Sequence, residues 1–419
     1  MTVSRRAIAT FAAGVALLPA WGQGREGGVT DSVIRYADEA RCTDTVTRVA
    51  RSGERLRWEP VRGRLDAVLA RLDVPTWSQV LVFSKTSSQR DHVGPASPRA
   101  IYFNDSVAVA WIPGAPEIEI LSVDARQGAR FHAVDQDPEA DGVPARRSAC
   151  LRCHDGQKTR RVPGLLLQSV ATAPDGTVRS EHFDFVNGHA APMPTRWGGW
   201  YVTGRGGGDR HRGNRPGRAP DEEGTILNDL SDRLEGSRYL ERGSDMVALM
   251  VLQHQVGVLN QTIRAGWDAR VDAALLARGE IDRTERKRRL ERSATELADQ
   301  LTLENQAPLQ SPVVGSGRFA ADYVRAGRTD QRGRGFRELD LRRGLYRWGF
   351  SPLVHAPAMR ALPEDLLDAL GHRIRRNLAR RSPNQARAVR EILSDTEPAL
   401  ARRWFGASAQ PGVQRRTPL

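Results

Sequence analysis

The chain has 419 residues, with 63 basic against 50 acidic side chains, a net charge of +13, 39% hydrophobic residues and only 6% aromatic ones. That length suits two ordinary domains, and a charged fraction of 27% without dominant low complexity excludes a wholly disordered or collagen-like chain. Beyond the N-terminus no apolar run approaches the roughly 18 to 20 residues that cross a bilayer, which excludes a multi-span membrane protein.

The basic excess does not point to nucleic acid. Lysine occurs only at Lys85, Lys158 and Lys287, arginines are strewn along nearly the whole chain and often stand beside Asp or Glu, and the densest patch, Arg205 to Arg218, mixes Arg with Gly and Pro as a loop does. No nucleic-acid partner is expected.

The first informative segment is the N-terminus, where Arg5 and Arg6 precede an apolar run from Ala7 to Ala20, followed by Trp21 and Gly22. A positive region, a short apolar core and small residues at its end are the pattern of a cleaved export signal over residues 1–22. The mature chain is therefore expected to be periplasmic or otherwise exported, without a transmembrane segment. Ser4-Arg5-Arg6 also has a twin-arginine look, but that route carries folded cargo and conflicts with the motif described below.

Leu65, Val68, Leu69 and Leu72 fall on one face and predict a short helix over Gly63 to Val74. Strands are predicted at Gln79 to Ser84, Ala100 to Phe103, Val107 to Ile112 after an Asn104-Asp105 turn, Ile118 to Val123 and Ala129 to Val134. Ala145-Arg146-Arg147-Ser148, after an acidic loop containing Gly and Pro, does not read as a strand.

Cys150-Leu151-Arg152-Cys153-His154 then spells C-x-x-C-H, the attachment signature of c-type haem. Two thiols one turn apart suit the two vinyl groups of one porphyrin, and the adjacent imidazole suits the iron as axial ligand. With three Cys and nine His in the chain, the pentapeptide arises by chance on the order of a few times in ten thousand. Haem of this kind is attached to an unfolded chain outside the cytoplasm, which agrees with an ordinary export signal. A zinc site would need more ligands, with Cys42 and His154 brought together by the fold. A thiol redox pair would normally open a helix directly after a strand. One covalent haem c, held by Cys150, Cys153 and His154, is the expectation.

Further extended segments are predicted at Leu165 to Ala171, Thr177 to Val186 across a Pro174-Asp175-Gly176 turn, and Gly199 to Thr203, followed by a Gly/Arg loop to Pro220. From Asp245 the period changes to that of helices. Met246 to Leu259 is apolar nearly all round, Leu290, Ala294, Leu297 and Leu301 repeat at helical spacing, and shorter helices are predicted at Arg318 to Ala326, Glu364 to Leu378 and Asn384 to Ser394. The expected class is α+β, with a β-rich haem-binding part over 29–220, a helical part over 244–400 and a flexible tail over 407–419. A small all-α cytochrome c fold, which starts near its haem motif, is not expected.

Ser84-Lys85-Thr86-Ser87, Arg99 to Asp105, Cys150 to Gly156, Trp197 to Gly204 and His211-Arg212-Gly213-Asn214 together give the segment from about Gln79 to Asn260 a resemblance to exported bacterial cytochrome c-like proteins with one C-x-x-C-H haem, a family of uncharacterised activity. The resemblance implies haem attachment at Cys150 and Cys153 and ligation by His154. It implies neither a substrate nor a sixth ligand.

For the other side of the iron the candidates are ranked His211, His254, Met193 and His189. His211 is flanked by glycines that would let backbone approach a flat cofactor, while His254 shares a face with Val247, Met250 and Val258 and so needs a partner or a metal. Trp197 and Trp200 are expected in core packing before any electron path, and Lys85 and Asp105 are candidate polar groups of a pocket. Two functional classes follow. One is electron transfer to or from a redox partner protein; the other is a haem-dependent oxidoreductase whose open or labile sixth iron position acts on a small oxidant or reductant.

Overall fold

The computed structural model describes residues 27–185, 188–206, 210–217, 226–234 and 238–406, so the expected export signal and C-terminal tail lie outside the described residues. The fold is α+β, with a β-rich N-terminal half and a helical C-terminal half. Its first half opens with three short helices, α1 (Gly27–Ile34), α2 (Thr45–Ser52) and α3 (Leu65–Arg71). An antiparallel sheet follows, of β1 (Val80–Val82), β2 (Arg99–Phe103), β3 (Val107–Trp111), β4 (Glu117–Asp124), β5 (Gly128–Asp135) and β6 (Ala145–Arg146), paired in chain order. Short turns join β2 to β3, β3 to β4 and β4 to β5: at the β2–β3 corner the Asn104 side chain accepts from the backbone N–H of Ser106 and Val107, at 2.9 and 2.8 Å.

Period-two alternation gives the sheet two faces. Tyr102, Val107, Val109, Trp111, Ile118 and Ile120 point to one side, where they bury Val46 and Val49 of α2 and Leu65, Val68 and Leu69 of α3. The other side carries Ile101, Ala108, Ala110, Glu119 and Leu121, all half-buried.

After a four-residue helix α4 (Leu151–His154), a hairpin of β7 (Gln168–Thr172) and β8 (Val178–Phe185) turns at Gly176, whose φ of 89° suits glycine. A short strand β9 (Gly204–Gly206) leads into α5 (Met246–Ala277), capped by Asp245, which accepts from Val247 N–H. The remaining elements are α6 (Arg283–Leu301), β10 (Val313–Gly315), which pairs with β9, α7 (Phe319–Arg325), α8 (Pro357–Arg360), α9 (Glu364–Ala379), α10 (Pro383–Thr396) and α11 (Pro398–Phe405). One apolar cluster joins the halves, drawing Val80, Val82 and Phe103 from the sheet and Val251, Leu297 and Leu370 from α5, α6 and α9.

Three sequence expectations are corrected. Ala145–Arg146 is a strand after all: β5 supplies its pairing partners, Ala133 and His132, so two residues extend the edge without an alternation of their own. Gly199 to Thr203 does not form a named strand, because Trp197 and Gly199 turn at positive φ, and only single contacts such as Tyr201 N–H to Leu81 C=O tie it to β1. The helix from Met246 does not stop at Leu259. It runs on to Ala277 through buried polar residues that find partners, as when Asn260 donates to the Leu165 carbonyl at 2.8 Å, Gln261 to Glu296 at 3.2 Å and Thr262 to the Val258 carbonyl at 2.8 Å.

The loop that delivers the chain from β5 to the C-x-x-C-H segment is organised by one arginine. Arg64 is buried, and its guanidinium donates to the carbonyls of Leu56 (3.0 Å), Asp135 (3.0 Å), Asp137 (2.7 Å), Pro138 (3.4 Å) and Ala140 (2.6 Å). Arg64→Met removes every guanidinium donor and strands the buried Leu56 carbonyl, and the expected loss is about 1–3 kcal/mol in urea unfolding. A midpoint within error of the parent would refute this account of the loop.

Candidate haem-attachment site

Cys150, Leu151, Arg152, Cys153 and His154 lie on a single turn of helix, α4 with its N-cap Cys150, immediately after β6. Both thiols are free, Cys150 half-buried and Cys153 exposed. Burial pushes the Cys150 thiol up, and the carboxylates of Glu119 and Glu117 push it further. A thiol-exchange nucleophile shows the opposite shift.

His154 is held at both of its polar ends. Its backbone carbonyl accepts from Gly164 N–H at 2.9 Å, and its Nδ1 donates to the Gly164 carbonyl at 2.9 Å. The ring packs on Phe131 of β5, with centroids 4.9 Å apart. Burial lowers the imidazole's proton affinity, so it is neutral at pH 7, with the Nδ1 proton engaged and the Nε2 lone pair free of any protein hydrogen bond among the described residues. A metal-binding histidine has that arrangement: one nitrogen anchored to a carbonyl, the other available.

Phe131 lies on the sheet face whose Phe103, Ala108 and Leu121 pack into the large apolar cluster. Phe103, Ala108, Leu121 and Phe131 form one cross-strand row, and Ile101, Ala110, Glu119 and Ala133 form the next. Small alanines keep the middle of this face shallow. Its polar edge is built by Glu119, which accepts from Ser87 at 2.9 Å, Ser88 at 2.8 Å and Arg99 at 3.2 Å. Burial works to raise the Glu119 carboxyl, but the Arg99 charge and the two hydroxyls outweigh it and hold the group below the usual carboxylate range. Arg99 and Glu119 both act electrostatically on His154. Beside them Arg147 pairs with Glu117. The resemblance motif around Ser84–Ser87 and the one around Arg99 thus meet at Glu119, a residue the sequence did not single out; its only signal was a charge at a strand position facing the motif's side of the sheet.

The candidates for a sixth iron ligand are not gathered at His154. His211 packs on Trp197, with centroids 5.6 Å apart, and its Nδ1 accepts from Gly213 N–H at 3.1 Å. Met193 is buried in the large apolar cluster. His189 and His254 bond to each other through Nδ1 at 2.9 Å, His189 Nε2 reaches the Glu304 carbonyl at 3.3 Å, and His254 Nε2 meets Ser351 Oγ at 2.8 Å. A carbonyl only accepts, so His189 carries its proton on Nε2, accepts on Nδ1 from His254, and His254 in turn accepts from the Ser351 hydroxyl. That chain satisfies all four ring nitrogens. Among the described residues no hydrogen bond, ion pair or ring contact joins any of these four side chains to Cys150, Cys153 or His154.

The other flagged residues also have structural partners. Lys85 pairs with Asp175 at 2.9 Å on the surface, and Asp105 pairs with Arg337 at 2.7 Å and accepts from Gln255 of α5 at 3.2 Å. Trp197 is fully buried, and Trp200 donates to the Gln168 carbonyl at 2.7 Å. Cys42, buried, donates to Gln127 at 2.8 Å, and among the described residues no three His, Cys, Asp or Glu side chains converge as a metal would require. No helix among the described residues is long and apolar enough to cross a membrane. Compared with protein-family models, with curated proteins and with solved structures, the chain matches none of them.

Two outcomes follow from the histidine pair. His189→Ala leaves the His254 Nδ1–H buried without an acceptor, an expected loss of about 1–3 kcal/mol, with no change in the absorption of any bound chromophore. Burial also holds His189 at about 4 and His254 well below the ordinary histidine value, so the unfolded chain binds more protons than the folded one between about pH 6.5 and pH 4. Stability is therefore whole above about pH 6.5 and falls as pH drops toward 4. Urea titrations across that range check it, and a flat profile would contradict the neutral-pair assignment.

Proposed function

We propose that the chain is an exported c-type haem protein that transfers electrons, related to the cytochrome c-like proteins that its motifs resemble. Cys150 and Cys153 would hold one haem through thioether bonds, and His154 Nε2 would ligate the iron. The observation that carries the reading is the donor set: two free thiols one turn apart, followed at once by a neutral imidazole whose Nδ1 proton is tied to the Gly164 carbonyl. When bound, the haem would supply one-electron chemistry. The chain's own part is to orient His154, to seat its ring on Phe131, and to set the local field through Arg99 and Glu119. Export belongs to the same reading, since attachment of this kind takes place outside the cytoplasm. The redox partner is a protein or a small oxidant or reductant.

A second reading, a haem-dependent oxidoreductase with an open or labile sixth position, is favoured by one observation. None of His211, His254, Met193 and His189 shares a contact with His154, whereas Arg99 and Glu119 stand on the same sheet face as Phe131, on which His154 packs. Polar groups of that kind can serve a small molecule at an iron.

Expression in a host competent for haem attachment tests both readings. Colour that survives denaturation and acid extraction is expected for the parent, with at most one thioether link in Cys153→Ser; a colourless protein with stoichiometric zinc would overturn the proposal. Ferrous protein that binds carbon monoxide slowly or not at all supports the carrier. Ready binding, unchanged by His211→Ala, moves the assignment to the oxidoreductase.

A further inference from the structure

The carbonyl that receives the His154 proton belongs to a segment with no secondary structure of its own, so something else must fix it. From below, the Pro163 carbonyl accepts from Ala129 N–H of β5 at 3.1 Å. From above, Asn260 of α5 reaches across the junction of the two halves. Its Oδ1 accepts from Leu165 N–H at 2.8 Å and its Nδ2 donates to the Leu165 carbonyl at 2.8 Å, so one amide side chain pairs with this stretch as a neighbouring strand would. Asn260 is almost wholly buried, between Leu259 and Ile263, which pack into the apolar cluster. A buried amide is unfavourable unless fully bonded, and here its bonds are spent on the residue next to Gly164. The fit is close: a Cβ on Gly164 would lie 2.5 Å from Asn260 Oδ1 and 3.1 Å from Thr159 Cβ.

We infer that Asn260 is a positioning residue for His154. It holds the Gly164 carbonyl where the Nδ1 proton meets it, and through that bond it sets the tautomer, the ring orientation and the donor strength of Nε2. The geometry stands on its own; its consequence at an iron rests on the haem reading above. A stronger Nδ1–H bond makes the imidazole a better electron donor, which favours the ferric state. Asn260 therefore lowers the midpoint potential from the helical half of the molecule.

The test uses the full chain labelled with ¹⁵N-histidine, with and without haem. In Asn260→Ala the His154 Nδ1–H resonance moves upfield and exchanges faster with solvent, and in the haem-loaded ferrous and ferric pair the midpoint potential rises. Val258→Ala, a core truncation on the same helix, lowers the melting temperature and leaves both readings in place. Asn260→Ser, which keeps one hydrogen bond, and Gly164→Ala, which drives a methyl against Oδ1, carry the same expectation should Asn260→Ala fail to fold. A folded Asn260 variant with an unmoved resonance and potential overturns the positioning role while leaving the haem reading intact. A chain that never takes up haem, yet shows the resonance shift, retires the haem reading and keeps the positioning role.

Discussion

The hydrogen bond from His154 Nδ1 to the Gly164 carbonyl is the contact on which the geometry of the C-x-x-C-H turn depends. A histidine beside two cysteines on one helical turn is free to rotate, and a free imidazole is a poor anchor for anything. Fixing it takes a carbonyl at the right place, and the carbonyl in turn takes a rigid surround. The sheet supplies one side through Ala129, and the long helix α5 supplies the other through Asn260. This requirement gives the helical half a purpose beyond covering apolar surface.

A few arginines serve as structural donors to converging carbonyls. Arg64 binds five carbonyls, Arg196 binds those of Ala191 and His189, and Arg381 binds those of Gly349 and Trp348. The planar guanidinium has five donors and no acceptor, which matches irregular loops whose carbonyls converge. A lysine could not satisfy so many from one point. Other arginines close ion pairs, as Arg337 does with Asp105 across the two halves. Among the described residues only Arg64, Arg130, Arg196 and Arg215 are buried, so most of the basic complement lies at or near the surface.

Buried histidines divide by what holds them. His189 and His254 satisfy each other, Ser351 and the Glu304 carbonyl, and the result is a closed polar unit inside an apolar cluster. Among the described residues His154 and His132 each keep one ring nitrogen without a protein partner, but His132 is buried beside Thr47 whereas half-buried His154 directly follows the two free thiols. What surrounds the spare nitrogen cannot be read from composition or helical phase.

The sequence determined the strands of the meander and most of the later helices, because alternation and the 3.6-residue period are local properties that burial of one face then rewards. It also singled out Cys150, Cys153 and His154 as candidates, since the C-x-x-C-H spacing lies within five residues. The tertiary structure decided the rest. β6 exists because β5 offers it a partner, and α5 continues past Leu259 because distant groups satisfy its polar residues. Glu119 joins the site because sheet register puts it two residues from the position opposite Phe131, and His254 meets His189 because the chain folds back over 65 residues. Each of these depends on which groups meet across long sequence separations, and only packing specifies that.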